Sequence, residues 1–211
     1  MENKRSFVPV SYLLIAINLL VFLYEYYLFG NNIITGHVDA MSLEKIGAQF
    51  GPDLIKGEYW RIFSAMFLHA SLIHVGSNML VLLFFGGQAE KAFGSFKFLL
   101  IYFMSGLAGG LLTQFSNPIA ISVGASGAIF GLLGALLSYS IVNYINHSYY
   151  SLNIKTYLLM ILLNLYAGFT DKTININDHV GGLVAGTVLG LLISIYINYN
   201  SEKRRQRRLF N

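Results

Sequence analysis

The sequence predicts an all-α membrane protein, a bundle of six transmembrane helices. Three observations carry that reading. Hydrophobic side chains make up 55% of the 211 residues and charged ones 11%, less than half of the roughly 25% typical of a soluble domain. Six apolar stretches run along the chain, and at about 20 residues per spanning helix they leave no room for a second, soluble domain. Strand-type alternation over about 10-residue segments, the mark of a transmembrane barrel, is absent. The same composition excludes disorder, which needs low hydrophobicity. The absence of cysteine excludes a disulfide framework, a Cys nucleophile and a thiolate metal site.

The stretches are 8–29, 72–87, 96–115, 124–145, 153–169 and 179–199, within a single domain over 1–211. The first follows Lys4 and Arg5. It is too long for a signal-peptide core and ends in Tyr26-Tyr27-Leu28-Phe29 without a small-x-small site, so it reads as a retained helix. Residues 30–71 mix Asp39, Glu44, Asp53 and Glu58 with Ile33, Leu43, Leu54 and Ile62. That mixture predicts a segment folded on the outer membrane surface, with Trp60 at the headgroup level. The third stretch carries a close-packing face at Gly106 and Gly110. Residues 116–125, with Pro118 and Gly124 and no charge, read as an irregular outer loop that dips inward. Such backbone is tolerated at membrane depth only against protein or a wet cavity. A basic tail over 200–211 closes the chain. Lys203 to Arg208 read as a topology anchor drawn to anionic lipid, at about 1 kcal/mol per basic residue. No other basic surface accompanies them, so nucleic acid is not an expected partner.

Lys and Arg accumulate on the cytoplasmic side of membrane proteins. With the N-terminus inside, ten of the 14 fall inside: Lys4, Arg5, Lys91, Lys97, Lys155, Lys203, Arg204, Arg205, Arg207 and Arg208. Lys45, Lys56, Arg61 and Lys172 fall outside. A multi-pass protein with both termini cytoplasmic is therefore expected.

Polar groups inside apolar spans are costly and point to function. His74 and Asn78 lie in the outer part of the second stretch, four residues apart and so on one helix face. Ser126 begins the fourth stretch and His179 the sixth. All three stretches run from outside to inside, so topology alone puts these four residues at one level. Gly127, Gly131 and Ala135 form a small-xxx-small series, as do Gly182, Gly186 and Gly190. Such series let helix backbones approach closely. Packing the fourth stretch on the sixth through them is expected to set Ser126 beside His179.

A serine hydroxyl is a weak nucleophile until a base takes its proton, and His179 is the histidine placed to do so. The tetrahedral intermediate needs donors for its oxyanion. The Ser126 backbone N–H, the His74 ring and the Asn78 amide are available. The implied reaction is acyl transfer to water. Asp178 adjoins His179, but neighbours on a helix point about 100° apart, so a dyad is expected rather than a triad. Phe130, four residues after Ser126, is placed to pack on the imidazole.

Other readings compete. A serine in a Gly-rich helix is more often a packing residue bonded to its own i−4 carbonyl, and Asn78 alone reads equally as an interhelical hydrogen bond. The shared level of the four residues favours catalysis. A small transporter is a further class, but the paired broken helices of internal repeats are not seen. Gly124-Ala125-Ser126-Gly127-Ala128 is not the G-x-S-x-G elbow. His69 and His74 are five apart and enclose no Glu, unlike H-E-x-x-H, so no metal and no cofactor are expected. His69 is expected at the interface, and His37 and His147 in loops.

These residues resemble the rhomboid intramembrane serine proteases over nearly the whole chain. Trp60-Arg61, His69-Ala70-Ser71-Leu72-Ile73-His74, Asn78, Gly87 and Glu90 carry the likeness. So do Gly124-Ala125-Ser126-Gly127-Ala128-Ile129-Phe130-Gly131 and His179-x-x-Gly182-x-x-x-Gly186. The resemblance implies Ser126 as nucleophile, His179 as general base, and His74 and Asn78 as oxyanion donors with the Ser126 amide. It implies supporting roles for Gly124 and Phe130, and a water-filled cavity open to the outer side. Substrates would be single-span membrane proteins, and residues 170–178 with the fifth span would form a moving gate. It also implies the minimal six-span form and the plasma membrane of a bacterium. Three positions differ from common family usage: Phe130 stands where Tyr is frequent, Asp178 where a small residue is frequent, and Ala92 where bacterial members often have Arg. A non-catalytic relative that binds or escorts membrane proteins is the alternative. The presence of both Ser126 and His179 favours the protease.

Overall fold

The computed structural model describes residues 8–146, 154–170 and 174–209. Lys4, Arg5, His147 and Lys172, and part of the expected gate (171–173), lie outside those residues. Among the described residues there is no strand. The long helices are α1 (Pro9–Phe29), α6 (Leu72–Phe93), α7 (Ser95–Ser116), α8 (Ser126–Ile145), α9 (Ile154–Thr170) and α10 (Ile176–Leu209). Four short helices lie between α1 and α6: α2 (Asn31–Thr35), α3 (Ala40–Lys45), α4 (Gly51–Ile55) and α5 (Trp60–Ser64). Five of the long helices have the length and composition to cross a membrane, and the protein is an integral membrane protein. The apolar α9 has 17 residues, about 25 Å at 1.5 Å per residue, the short end of what spans a bilayer core.

Local chemistry fixes the helix ends. Pro9 opens α1, where its missing N–H costs nothing. The next donors are met by the buried Glu90 carboxyl, which accepts from the backbone of Val10 (3.2 Å) and Ser11 (2.9 Å) and from the Ser11 hydroxyl (3.1 Å). Ser95 donates to the same carboxyl at 2.7 Å. One side chain thus ties together the beginning of α1, the end of α6 and the beginning of α7. Ser71 caps α6 by accepting the His74 N–H at 3.1 Å. Inside α6, residues Leu82–Gly86 form a π-turn, which re-registers the faces before and after it. The helix ends at Gly94, whose φ of +80° suits a residue without Cβ.

The last helix differs from the sequence reading at both ends. It begins at Ile176, before His179, where the Asn175 side chain accepts the Asp178 N–H at 3.4 Å. It also continues to Leu209, because Glu, Lys, Gln and Arg are good helix formers and no Gly or Pro interrupts them. The basic tail is a helical extension of the sixth span.

Residues 30–71 form a folded cap. Ile33, Leu43, Ala48, Leu54, Ile62, Met66 and Leu68 are buried. The buried Arg61 organises the polar side. It donates to the carbonyls of Glu44 (2.5 Å) and Ala48 (3.2 Å), pairs with Glu58 at 2.6 Å and lies 4.9 Å from the centre of the Trp60 ring. A hydrogen bond from Lys56 (3.0 Å) and the nearby Arg61 charge (3.6 Å) hold the Asp53 carboxyl below the usual carboxylate range. The cap also satisfies the irregular loop before α8. Gln49 and Ser122 exchange both backbone hydrogen bonds at 3.0 Å, and the Gly51 N–H donates to Pro118 at 2.9 Å. Gly106 and Gly110 on α7 receive this cap: Met66 packs on the first, Ile62 and Gln49 on the second.

Helix α8 is central, with 72% of its apolar window buried against 22% for α1. It runs parallel to α10 at backbone contact. A Cβ on Gly182, Gly186 or Gly190 would collide with the backbone of Gly127, Gly131 and Ala135 respectively. Three contacts spaced four residues apart on each helix thus keep one register, with nothing larger than the Ala135 methyl between the backbones there.

Candidate active site

Ser126 is the first residue of α8, directly after Ala125 in the N-cap position. Its hydroxyl therefore sits among the unpaired N–H groups of a helix start, at the positive end of the helix dipole. It is half-buried. On the parallel α10, where Gly182 faces Gly127, His179 lies in the first turn, three residues before that contact, and is buried. Its ring stacks on Phe130 with centroids 4.3 Å apart and planes 20° from parallel. That contact fixes the plane of the imidazole from the helix that carries Ser126. His179 Nδ1 is buried and has no hydrogen-bond partner among the described residues.

Helix α6 supplies donors. A Cβ built on Gly124 would lie 2.8 Å from His74 Nε2 and 3.6 Å from Asn78 Nδ2. Both side chains therefore converge on the backbone two residues before Ser126. Gly124 holds φ at +125° and donates its N–H to Ala65 at 2.8 Å. Any other residue there would be strained and would push into His74. The Ala70 N–H points at His74 Nδ1 over 3.5 Å. An Nδ1 that accepts leaves the proton on Nε2, so the His74 atom facing Gly124 is a donor. Asn78 Nδ2 is buried without a partner among the described residues. A buried amide donor of that kind has a free-energy cost of about 1–3 kcal/mol, which an arriving oxygen would relieve.

Two features were not anticipated from the residues alone. The Ser126 hydroxyl is directed at Asp178 Oδ2, 3.5 Å away, and among the described residues no hydrogen bond joins it to His179. Catalytic contacts are often long in unliganded enzymes and tighten with substrate. The Asp178 carboxyl reaches this place because Gly109 on α7 and Gly127 on α8 leave room. A Cβ on either would come within 2.5 Å of it. The 100° between neighbours on a helix bears on Asp178 as an orienter of His179, not on its approach to Ser126; the glycine facing it on each neighbouring helix is the available signal. The second feature corrects the interfacial reading of His69. It is fully buried, with its ring edge-on to His74 at 5.0 Å and its backbone N–H bonded to Glu25 at 2.9 Å. Its place before the span suggested an interfacial position, but the folded cap covers it.

Known proteins resemble the chain in the same region. A family model described as the Rhomboid domain matches residues 56–196. RHOMBOID-like protein 2 of Arabidopsis thaliana is 39% identical over 165 residues, 78% of this chain and 52% of the relative. RHOMBOID-like protein 1 of the same plant is 38% identical over 167 residues, 79% of this chain and 43% of the relative. The Rhomboid protease GluP of Bacillus subtilis (strain 168) is 35% identical over 177 residues, 83% of this chain and 33% of the relative. The chain thus spans about half or less of the length of these relatives.

Proposed function

This chain belongs to the rhomboid family, and from that premise we propose that it is an intramembrane serine endopeptidase working through a Ser126–His179 dyad. The observation that carries the proposal is the convergence of three helices on one point. The start of α8 presents a hydroxyl, α10 a ring held by Phe130, and α6 two donors aimed at Gly124.

In this reading the Ser126 hydroxyl turns from Asp178 to His179, which takes its proton as Oγ attacks the scissile carbonyl. The resulting oxyanion accepts from the Ser126 N–H, His74 Nε2–H and the Asn78 amide. His179 then protonates the departing amine. Water, deprotonated by His179, releases the acyl group and restores Ser126. The substrates are transmembrane proteins whose helices unwind near the outer boundary, and the two termini face the cytoplasm of a bacterial cell. The unpartnered Asn78 amide disfavours a non-catalytic escort, which would have no use for an unsatisfied buried donor.

Asn78→Ala is expected to lower kcat by about 10²–10³, the usual cost of one oxyanion donor, with the cut site unchanged in mass spectrometry of the products. A shifted cut site would make Asn78 a substrate-binding residue instead. The reaction as written uses only protein groups and water, so EDTA is expected to leave cleavage in detergent unchanged. Loss of activity that Zn²⁺ restores would replace the dyad with a metal mechanism.

A further inference from the structure

Helix α1 is the most exposed of the spanning helices by the share of its apolar window buried, yet it carries a fully buried carboxyl. Glu25 is 0% exposed and lies one turn before the end of α1 at Phe29. A carboxyl at such depth is costly unless hydrogen-bonded, and packing alone would be served by Leu. Its Oε1 accepts the His69 N–H at 2.9 Å. His69 is itself 0% exposed, with Nδ1 3.2 Å from the Phe67 carbonyl. Its ring meets His74 edge-on, centroids 5.0 Å apart and planes at 73°. The residues that follow His69 hold the other sides of His74: the Ala70 N–H faces its Nδ1, and the Ser71 hydroxyl accepts its backbone N–H. On the side away from Gly124, the His69 ring and the Ala70 N–H thus set the His74 ring, and Glu25 pins the first residue of that turn.

We propose that Glu25 is a positioning residue for the oxyanion donor His74, acting through His69 and the turn 69–71. The first span thereby takes part in setting the active site without touching it. The inference rests on the protease reading above. Its readout is kcat in variants that fold, set by the geometry at His74.

The test is a double-mutant cycle on a transmembrane reporter in detergent. Glu25→Met keeps the length and removes the acceptor; Glu25→Gln keeps an acceptor oxygen and loses the charge. Glu25→Met is expected to lower kcat about tenfold or more with KM within about twofold, and Glu25→Gln to stay within about threefold of wild type. In a His74→Ala background, Glu25→Met should cost less than about twofold more, because its effect passes through His74. Losses that multiply in the double mutant, or an unchanged kcat in Glu25→Met, would overturn the proposal. Glu25→Asp retracts the acceptor by one methylene and keeps the charge. It goes through the same cycle, so a Met variant that fails to fold leaves the test intact. Ser126→Ala separates the two levels of the argument. Cleavage that survives it overturns the protease reading itself, whereas an unchanged kcat in Glu25→Met with a dead Ser126→Ala overturns only the role of Glu25.

Discussion

Ser126→Ala and His179→Ala are each expected to fold and to leave a transmembrane reporter uncut in liposomes. The loss is of nucleophile or base, not of structure. Ser126 is half-buried, and among the described residues its side chain makes only a long contact to Asp178, so removal of Oγ takes away no short hydrogen bond. His179→Ala removes a ring stacked on Phe130, which costs packing but leaves the backbone contacts of α10 with α8 in place. Where a hydroxyl–imidazole pair has been dissected, losing either member lowers turnover on the order of 10⁶-fold. Thermal unfolding of both variants should fall within a few degrees of wild type. Cleavage retained by either would remove the dyad from the mechanism.

Gly186→Val is expected to be the most damaging single change in the bundle. A Cβ there would run into the carbonyl oxygen, Cα and carbonyl carbon of Gly131. No rotamer change relieves a clash with backbone, so α8 and α10 must separate. Overpacking typically costs about 1–3 kcal/mol when side chains can yield, and here they cannot. The separation would also carry His179 away from Ser126, so activity should fall even where the protein still folds. Gly76→Ala is the control: nothing lies within 4 Å of its added Cβ, and its stability should match wild type. Equal unfolding temperatures for the two variants would mean that α8 and α10 do not depend on this contact.

The fold class was legible in composition and in the spacing of apolar stretches, because a bilayer demands helices of a set length. Helix ends were less so. The start of α10 depends on Asn175 accepting from Asp178, and its extension to Leu209 on intrinsic propensity outside the apolar run, which hydropathy does not register. For the site, topology puts Ser126, His179, His74 and Asn78 at one level, since level follows from the direction of each span. Lateral contacts are another matter. Glu25 and His69 are 44 residues apart, and only the path of the cap brings them together. Asp178 reaches Ser126 through a space defined by Gly109 and Gly127 on two other helices, a relation that periodicity along one helix cannot express.

The central claim is that Ser126 is a nucleophile activated by His179. A fluorophosphonate, which phosphonylates an activated serine with release of fluoride, tests it most directly. Wild-type protein in detergent should gain a single adduct by intact mass, mapped by peptide sequencing to Ser126. His179→Ala should gain essentially none over the same time. An adduct at another residue, or equal labelling with and without His179, would contradict the account.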